Sequence, residues 1–510
     1  MKMKKLLSLV LALVMCVGVL TGCGTDNDPA AQNSAGNAGS SDGIVIAMNA
    51  DIDTMHPSDY STTVELNVLN QMYDTLIYMN PDGAHEPEAR LAETWEASDD
   101  GLTYTFHLRD DATFHDGTPV TAEDVVFSLE LYQNSSYQNS FVNGLDYAEA
   151  TDEHTVVCHL SIPYAPFLLG VSVCHIASKA YYDADPEKFV TEPNGSGPYK
   201  FVSRTRGSNV VLEAYDGYYR GVASIPSVTF EVIPTQATMA VALQTGEIDF
   251  AEIEPVNIAQ LEGVETVTSQ QVSTSGFTYV TMNLDREPFN NVLVRQAINY
   301  AINRDNFVLM CYQGAAEVNS SLCSPDRFGY SEDIQQYTYD PEKAKELLAE
   351  AGIETPYNLG EILVDESNSN LATVLQADLA AVGLECTIST KEFNAYIGDL
   401  TSGTYGISVL NMTLDGDTQN LEMAYCTDYI GTANNARYSD PEMDELFNQA
   451  RTETDTDARA EIFKQIFAKA QEEAIYAPIC NPLMIFAYRT ELNVPAIDYE
   501  GKYYVYNFSM

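Results

Sequence analysis

Apolar and polar residues alternate along 104–108, between the turn residues Asp99-Asp100-Gly101 and His115-Asp116-Gly117. That period of two between turn formers predicts a half-buried strand. Thr121 stands three residues before Asp124, the spacing of a capping box, and Val125, Val126, Phe127 and Leu129 supply a helix's apolar residues. The run 95–130 therefore reads turn, strand, turn, helix, with every local signal agreeing. Elsewhere the same patterns predict strands at 43–49, 155–160, 210–214, 228–232, 248–253 and 277–283, and helices at 64–73, 238–244 and 292–302. A helix over 340–352 has Pro341 at its start and Gly352 past its end. With a strand at 361–364, a helix at 371–382 and a strand at 386–388 it sets up the β-α-β rhythm of an α/β domain. Helices from Asp440 and over 456–474 precede the last strands.

The first 43 residues follow other rules. Lys2, Lys4 and Lys5 precede an apolar run over 6–20 that is short for a membrane span and reads as a signal peptide. It ends in LTGC at 20–23, which resembles the lipobox of bacterial lipoproteins. That implies a leader over 1–22 and lipid attachment at Cys23. Residues 24–43 are rich in Gly, Ser, Asn and Ala without periodicity, as expected of a flexible tether. The body is then a soluble unit held at the outer face of a bacterial membrane.

At 510 residues, two or three domains are expected. The formal net charge of −49 repels nucleic acid and anionic lipid, and suits a protein handling neutral or cationic ligands. Of nine cysteines, Cys16 leaves with the leader and Cys23 is the anchor. The remaining odd number leaves room for one or two disulfides, their pairing open. Cys158-His159 and Cys174-His175 do not make metal sites, because neighbours on a strand point to opposite faces. His107, His115 and Asp116 lack ligand spacing and read as strand and turn residues. No HExxH, Walker loop or dinucleotide fingerprint occurs, and the one GxSxG string, GSSDG at 39–43, lies in the Gly/Ser-rich tether rather than between a strand and a helix, so neither an enzyme nor a cofactor is expected. The chain reads as a binder.

The run 95–130 resembles the signature of family 5 extracellular solute-binding proteins, the peptide- and nickel-binding subunits of ABC importers. RLAETW at 90–95, GSGPYKF at 195–201, YYRG at 218–221 and ALQTGEID at 242–249 match in the same order, followed by VRQAINYAINR at 294–304 and NARYSDPEMD at 435–444. The resemblance implies an α/β, two-lobed periplasmic-binding-protein-like fold of type II with three domains and a hinge between lobes. Domain I would comprise 44–79, 190–275 and 485–510, domain II 80–189 and domain III 276–484. It implies capture of short peptides by closing lobes and delivery to a permease and its ATPases, by a monomer. A nickel chelate, an oligosaccharide, a modified amino compound, or a sensing or chaperone role stay open. Nickel is disfavoured because only His56 lies near the matched cleft stretches.

Relatives carry a WxxDYxDP-like run whose acid meets a peptide's α-amine. The corresponding VLNMTLDGDTQN at 409–420 departs from it: without a gap the Trp position falls on Asn411 and the acid on Leu414, and a slip of one residue brings in Asp415. Asp417 is a second candidate. By the same resemblance Ser61 and Thr63 lie where relatives bind peptide backbone, and Asn434 heads the family's Asn-x-Ala-x-Tyr.

Overall fold

The strand expected at 43–49 forms over Gly43–Met48, parallel to Ser227–Val232 and to Phe250–Glu252. Asn209–Ala214 and Tyr199–Thr205 extend this sheet antiparallel. On its other side Phe250–Glu252 pairs with Tyr476–Arg489, a strand of 14 residues. That strand has two sets of neighbours. Its second part pairs with Val267–Ser273, and its first part with Gly276–Met282, from which Ile407–Thr413, Tyr357–Asp365 and Leu384–Lys391 continue the sheet. Two sheet halves thus share one backbone within a 12-stranded sheet. A separate four-stranded antiparallel sheet of Ala92–Ala97, Thr103–Leu108, Thr155–Leu160 and Leu145–Asp152 contains the predicted strand at 104–108. This computed structural model describes residues 43–79, 87–323, 327–331, 333–413, 416–498 and 500–510; the leader, Cys23, most of the tether and Asp415 lie outside the described residues. Among the described residues no helix is long and apolar enough to cross a membrane.

Each part buries its own apolar cluster. In the first half Ile44, Ile46, Phe230, Phe250 and Phe486 pack together with Tyr503 from the C-terminal segment. Phe106, Phe114, Tyr132 and Phe167 fill the core over the four-stranded sheet. The second half covers both sheet faces, Val280, Ile298, Leu375 and Val409 on one and Tyr279, Tyr425, Phe447 and Phe463 on the other. Burial on both faces explains why Gly276–Met282 reads as a nearly continuous apolar run. No disulfide joins these clusters. None of the seven described cysteines is in a disulfide, with Cys158 and Cys174 in one core, Cys323 and Cys426 in another and Cys480 in a third. The disulfides for which the composition leaves room are therefore not formed.

The helix Val292–Ala301 explains the VRQAINYAINR stretch. Buried Arg295 donates from Nε to Glu473 O (3.0 Å) and from Nη1 to Phe289 O (2.9 Å). Asn299 Nδ2 donates to Tyr476 O (3.1 Å), and Arg304 Nε to Pro478 O (2.8 Å). Asn299 and Arg304 thus satisfy carbonyls at the start of the shared strand, and Arg295 satisfies those of Glu473 and Phe289 beside it.

The other shared motif is a clasp. His115 N–H donates to Gly195 O (2.9 Å) and its Nε2 to Gly197 O (3.0 Å). Asp116 N–H donates to Asn194 Oδ1, and Asn194 Nδ2 returns to Asp116 Oδ2, both at 3.0 Å. His115 and Asp116 thus tie the unit carrying 95–130 to the first half. Gly195 is required by space, since a Cβ there would stand 1.9 Å from Met72 O. Nearby, fully buried His175 donates Nδ1–H to Pro57 O (3.1 Å) and places Nε2 2.9 Å from Asn70 Oδ1. Burial depresses its pKa to about 4.

Two outcomes follow. Gly195→Ala forces the clasp away from Met72 and should cost about 1–3 kcal/mol in urea unfolding with the fold retained. Because His175 gains a proton near pH 6.5 when unfolded but only near 4 when folded, its contribution is intact above pH 6.5 and lost as pH falls towards 4, by up to roughly 3 kcal/mol. Urea melts between pH 7.5 and 4.5 should show a shallower decline for His175→Gln than for the wild type. Buried Asp378, raised to about 6, works in the opposite sense in both proteins and cancels in that comparison.

Candidate ligand-binding cleft

Between the unit bearing the four-stranded sheet and the second half lies a cavity of about 200 Å³. Met79, Tyr104, Pro166, Leu168 and Leu169 form one wall; Arg327, Phe328, Asp417, Thr418 and Arg459 form the other. One wall is apolar and the other mixed, the combination that lets a pocket bury a small molecule while polar groups orient it.

Asp417 sits in this wall with its charge already answered. Arg459 Nη1 donates to its Oδ2 at 3.0 Å and Nη2 pairs with Oδ1, in a bidentate ion pair whose side chains are only 8% and 11% exposed. The guanidinium lies between the Phe328 and Phe463 rings, 5.0 and 5.1 Å from their centroids, and gives Nε–H to Ala450 O (2.9 Å). Asp417 Oδ1 also accepts Gln419 N–H (2.7 Å), capping the short turn Thr418–Leu421. This acid fixes the loop after 413.

Asn411 is exposed on the strand Ile407–Thr413 and lies outside the cavity lining. Its Oδ1 accepts from Thr278 Oγ1 (2.8 Å) and Tyr312 OH (3.0 Å), and its Nδ2 donates to Asn368 Oδ1 (3.0 Å). One N–H remains for a further acceptor. Asn434 is 1% exposed and wholly engaged within its own turn, giving Nδ2 to Cys426 O (3.0 Å) and Tyr438 O (2.8 Å) and accepting Tyr438 N–H. Ser61 and Thr63 are exposed at the start of the helix Thr63–Met72, away from the cavity lining. The candidate residues are thus not gathered at one point.

Glu65 organises the stretch that holds Ser61 and was missed by sequence reasoning, although Thr62 to Glu65 has the capping-box spacing. Its Oε1 accepts the amides of Asp53 (3.0 Å) and Thr54 (3.2 Å), and its Oε2 those of Ser61 (2.8 Å) and Thr62 (3.1 Å). Burial pushes this carboxyl up, but those amides outweigh it and hold the pKa below the ordinary carboxylate value. His56, in the same stretch, packs edge-on against Phe189, and burial lowers its pKa below the ordinary histidine value. Among the described residues no group of three or more His, Cys, Asp or Glu could hold a metal ion.

Hydrogen bonds also span the cleft. Ala165 N–H donates to Arg451 O (2.9 Å), and Gly416 N–H to Glu500 Oε1 (2.6 Å). Glu500 belongs to a nearly buried group with Asp498 and Lys502, in which the Lys502 ammonium pairs with its other oxygen. Burial pushes the Asp498 carboxyl up to about 7, whereas for Glu500 the pull of Lys502 overcomes burial and keeps it ionised.

The profile of the bacterial extracellular solute-binding proteins, family 5 Middle, matches residues 86–430. The chain is 30% identical over 465 residues to the dipeptide-binding protein of Escherichia coli, covering 84% of this chain and 87% of that one. It is 33% identical over 454 residues to heme-binding protein A of Haemophilus influenzae, with 81% and 82% covered. The solved structure of HbpA2 from Haemophilus parasuis superposes with a TM-score of 0.85 at 27% identity, over 92% of this chain and 99% of the other. Two sheet halves on one shared strand, a cavity between packed units and a match across most of the length make this chain a bacterial extracellular solute-binding protein of family 5.

Proposed function

We propose that the chain is the substrate-binding component of an ABC importer, capturing short peptides in the cleft and presenting them to the permease. The cavity closed between two separately packed units carries this reading: a ligand there contacts both walls only when they approach, so binding favours closure. The 30% identical dipeptide-binding relative supports the peptide class. The body works as a monomer outside the membrane, tethered through lipid on Cys23. The three-domain division at 44–79 with 190–275 and 485–510, 80–189, and 276–484 draws support from the separate cores of 276–484, while Phe127, Ala177 and Phe189 join the first core and Leu76 and Ile77 the core over the four-stranded sheet. Since Asp417 is committed to Arg459, an α-amine is left to Asp415. The 33% identical heme-binding relative favours a second reading, in which the apolar wall takes a flat porphyrin.

Thermal-shift measurements on residues 24–510 distinguish the two. A pool of di- and tripeptides at about a hundred times Kd should stabilise the protein by about 2.7 kcal/mol, raising Tm by a few degrees, while heme leaves it unchanged. A shift with heme and none with any peptide pool sinks the peptide reading. Asp417→Ala strands a nearly buried guanidinium and should cost about 3–5 kcal/mol in urea unfolding. Unchanged stability would show that the ion pair does not hold the loop.

A further inference from the structure

The loop after Thr413 is anchored in the second half by Asp417, yet one of its amides is bound from the first half. Gly416 has φ +77°, a left-handed conformation that glycine adopts at little cost, and its N–H leaves the loop towards Glu500. The carboxylate that receives it is fixed on its own side. Asp498 Oδ1 accepts the amides of both Glu500 (3.0 Å) and Lys502 (2.7 Å), folding the segment into a tight turn. Ile497 and Tyr503, on either side of that turn, are built into the first core. Glu500 then divides its two oxygens: Oε2 pairs with Lys502 in its own half, and Oε1 takes Gly416 of the other.

We propose that Glu500 is a positioning residue for ligand capture: its carboxylate, held by Lys502, takes the Gly416 amide when the cleft closes and thereby couples closure to the placement of Gly416 and Asp417. The proposal rests on the reading that the chain captures its ligand by closure. An amide bonded to a carboxylate is among the stronger hydrogen bonds available to a backbone. This one exists only while the two halves are together, so it adds to the closed state and not to the open one. It also acts one residue before Asp417, which lines the cavity, so a single contact bears both on closure and on that part of the wall. When the halves part, Glu500 keeps Lys502 and the Gly416 amide passes to water.

Hydrogen exchange read at single amides tests this, with and without the di- and tripeptide pool. In Glu500→Ala the Gly416 amide should exchange at least tenfold faster, and the Ala165 amide, the other cross-cleft donor, should accelerate with it. The Gln419 amide, bonded to Asp417 within the second half, should not change. Glu500→Gln keeps an accepting oxygen and the side-chain shape, and should show a smaller acceleration at the same two amides; it carries the test if the alanine variant does not fold. Acceleration at Gly416 with Ala165 untouched would reduce Glu500 to a local contact and overturn the proposal. So would a Gly416 amide that is unprotected in the wild type under both conditions. Peptide affinity should fall about tenfold in Glu500→Ala. If the wild type binds no peptide while Gly416 and Ala165 still lose protection together, the coupling stands and the peptide reading falls.

Discussion

A β-strand surrenders backbone hydrogen bonds wherever it bends sharply, and the 14 residues of Tyr476–Arg489 carry bonds for two sheet halves at once. Its first part is held by Gly276–Met282 and by the side chains of Asn299 and Arg304; its second part by Val267–Ser273 and Phe250–Glu252. These partners change over near Cys480 to Leu483, where bending would break the fewest ladder bonds. A hinge of this kind keeps each half internally rigid, because each retains its own ladder and its own core.

The stretches that are most distinctive in sequence prove to be structural ties. The His115-Asp116 turn grips the Gly195–Gly197 turn, and the helix Val292–Ala301 caps buried carbonyls of the shared strand. Both positions demand particular residues: a glycine where a Cβ has no room, and guanidinium and amide groups where several carbonyls converge. In the cavity wall the same demand falls on Asp417 and Arg459, whose nearly buried ion pair fixes each against the other.

Local chemistry was largely legible in the chain. The capping box of Thr121 and Asp124 forms as its spacing predicts, Gly246 ends its helix in the left-handed conformation, and Asp340 caps the helix Pro341–Glu350. The strand Leu145–Asp152 was not legible, because its residues are largely exposed on both faces and no alternation marks it. At the cleft, Asp417 looked like a free acid because its partner lies 42 residues away, and spacing along a chain says nothing about such a pair. Asn434 resembled a cleft residue by motif, yet its side chain closes a buried turn. Glu65 was legible by spacing and was read only as the inside of a helix.

Arg90, Arg295, Arg304, Arg327 and Arg459 are buried, which bears on how the molecule meets its surroundings. The acids Glu65, Asp74, Asp124, Asp365 and Asp378 are buried alongside them, so the charges inside the fold offset one another and the formal charge of −49 falls to the outer surface. Such a body sets up a long-range negative potential that keeps copies apart and makes encounters with any docking surface strongly dependent on ionic strength. A cation-rich face on the receiving protein would be met quickly in dilute salt and slowly in concentrated salt, whatever the cleft happens to hold.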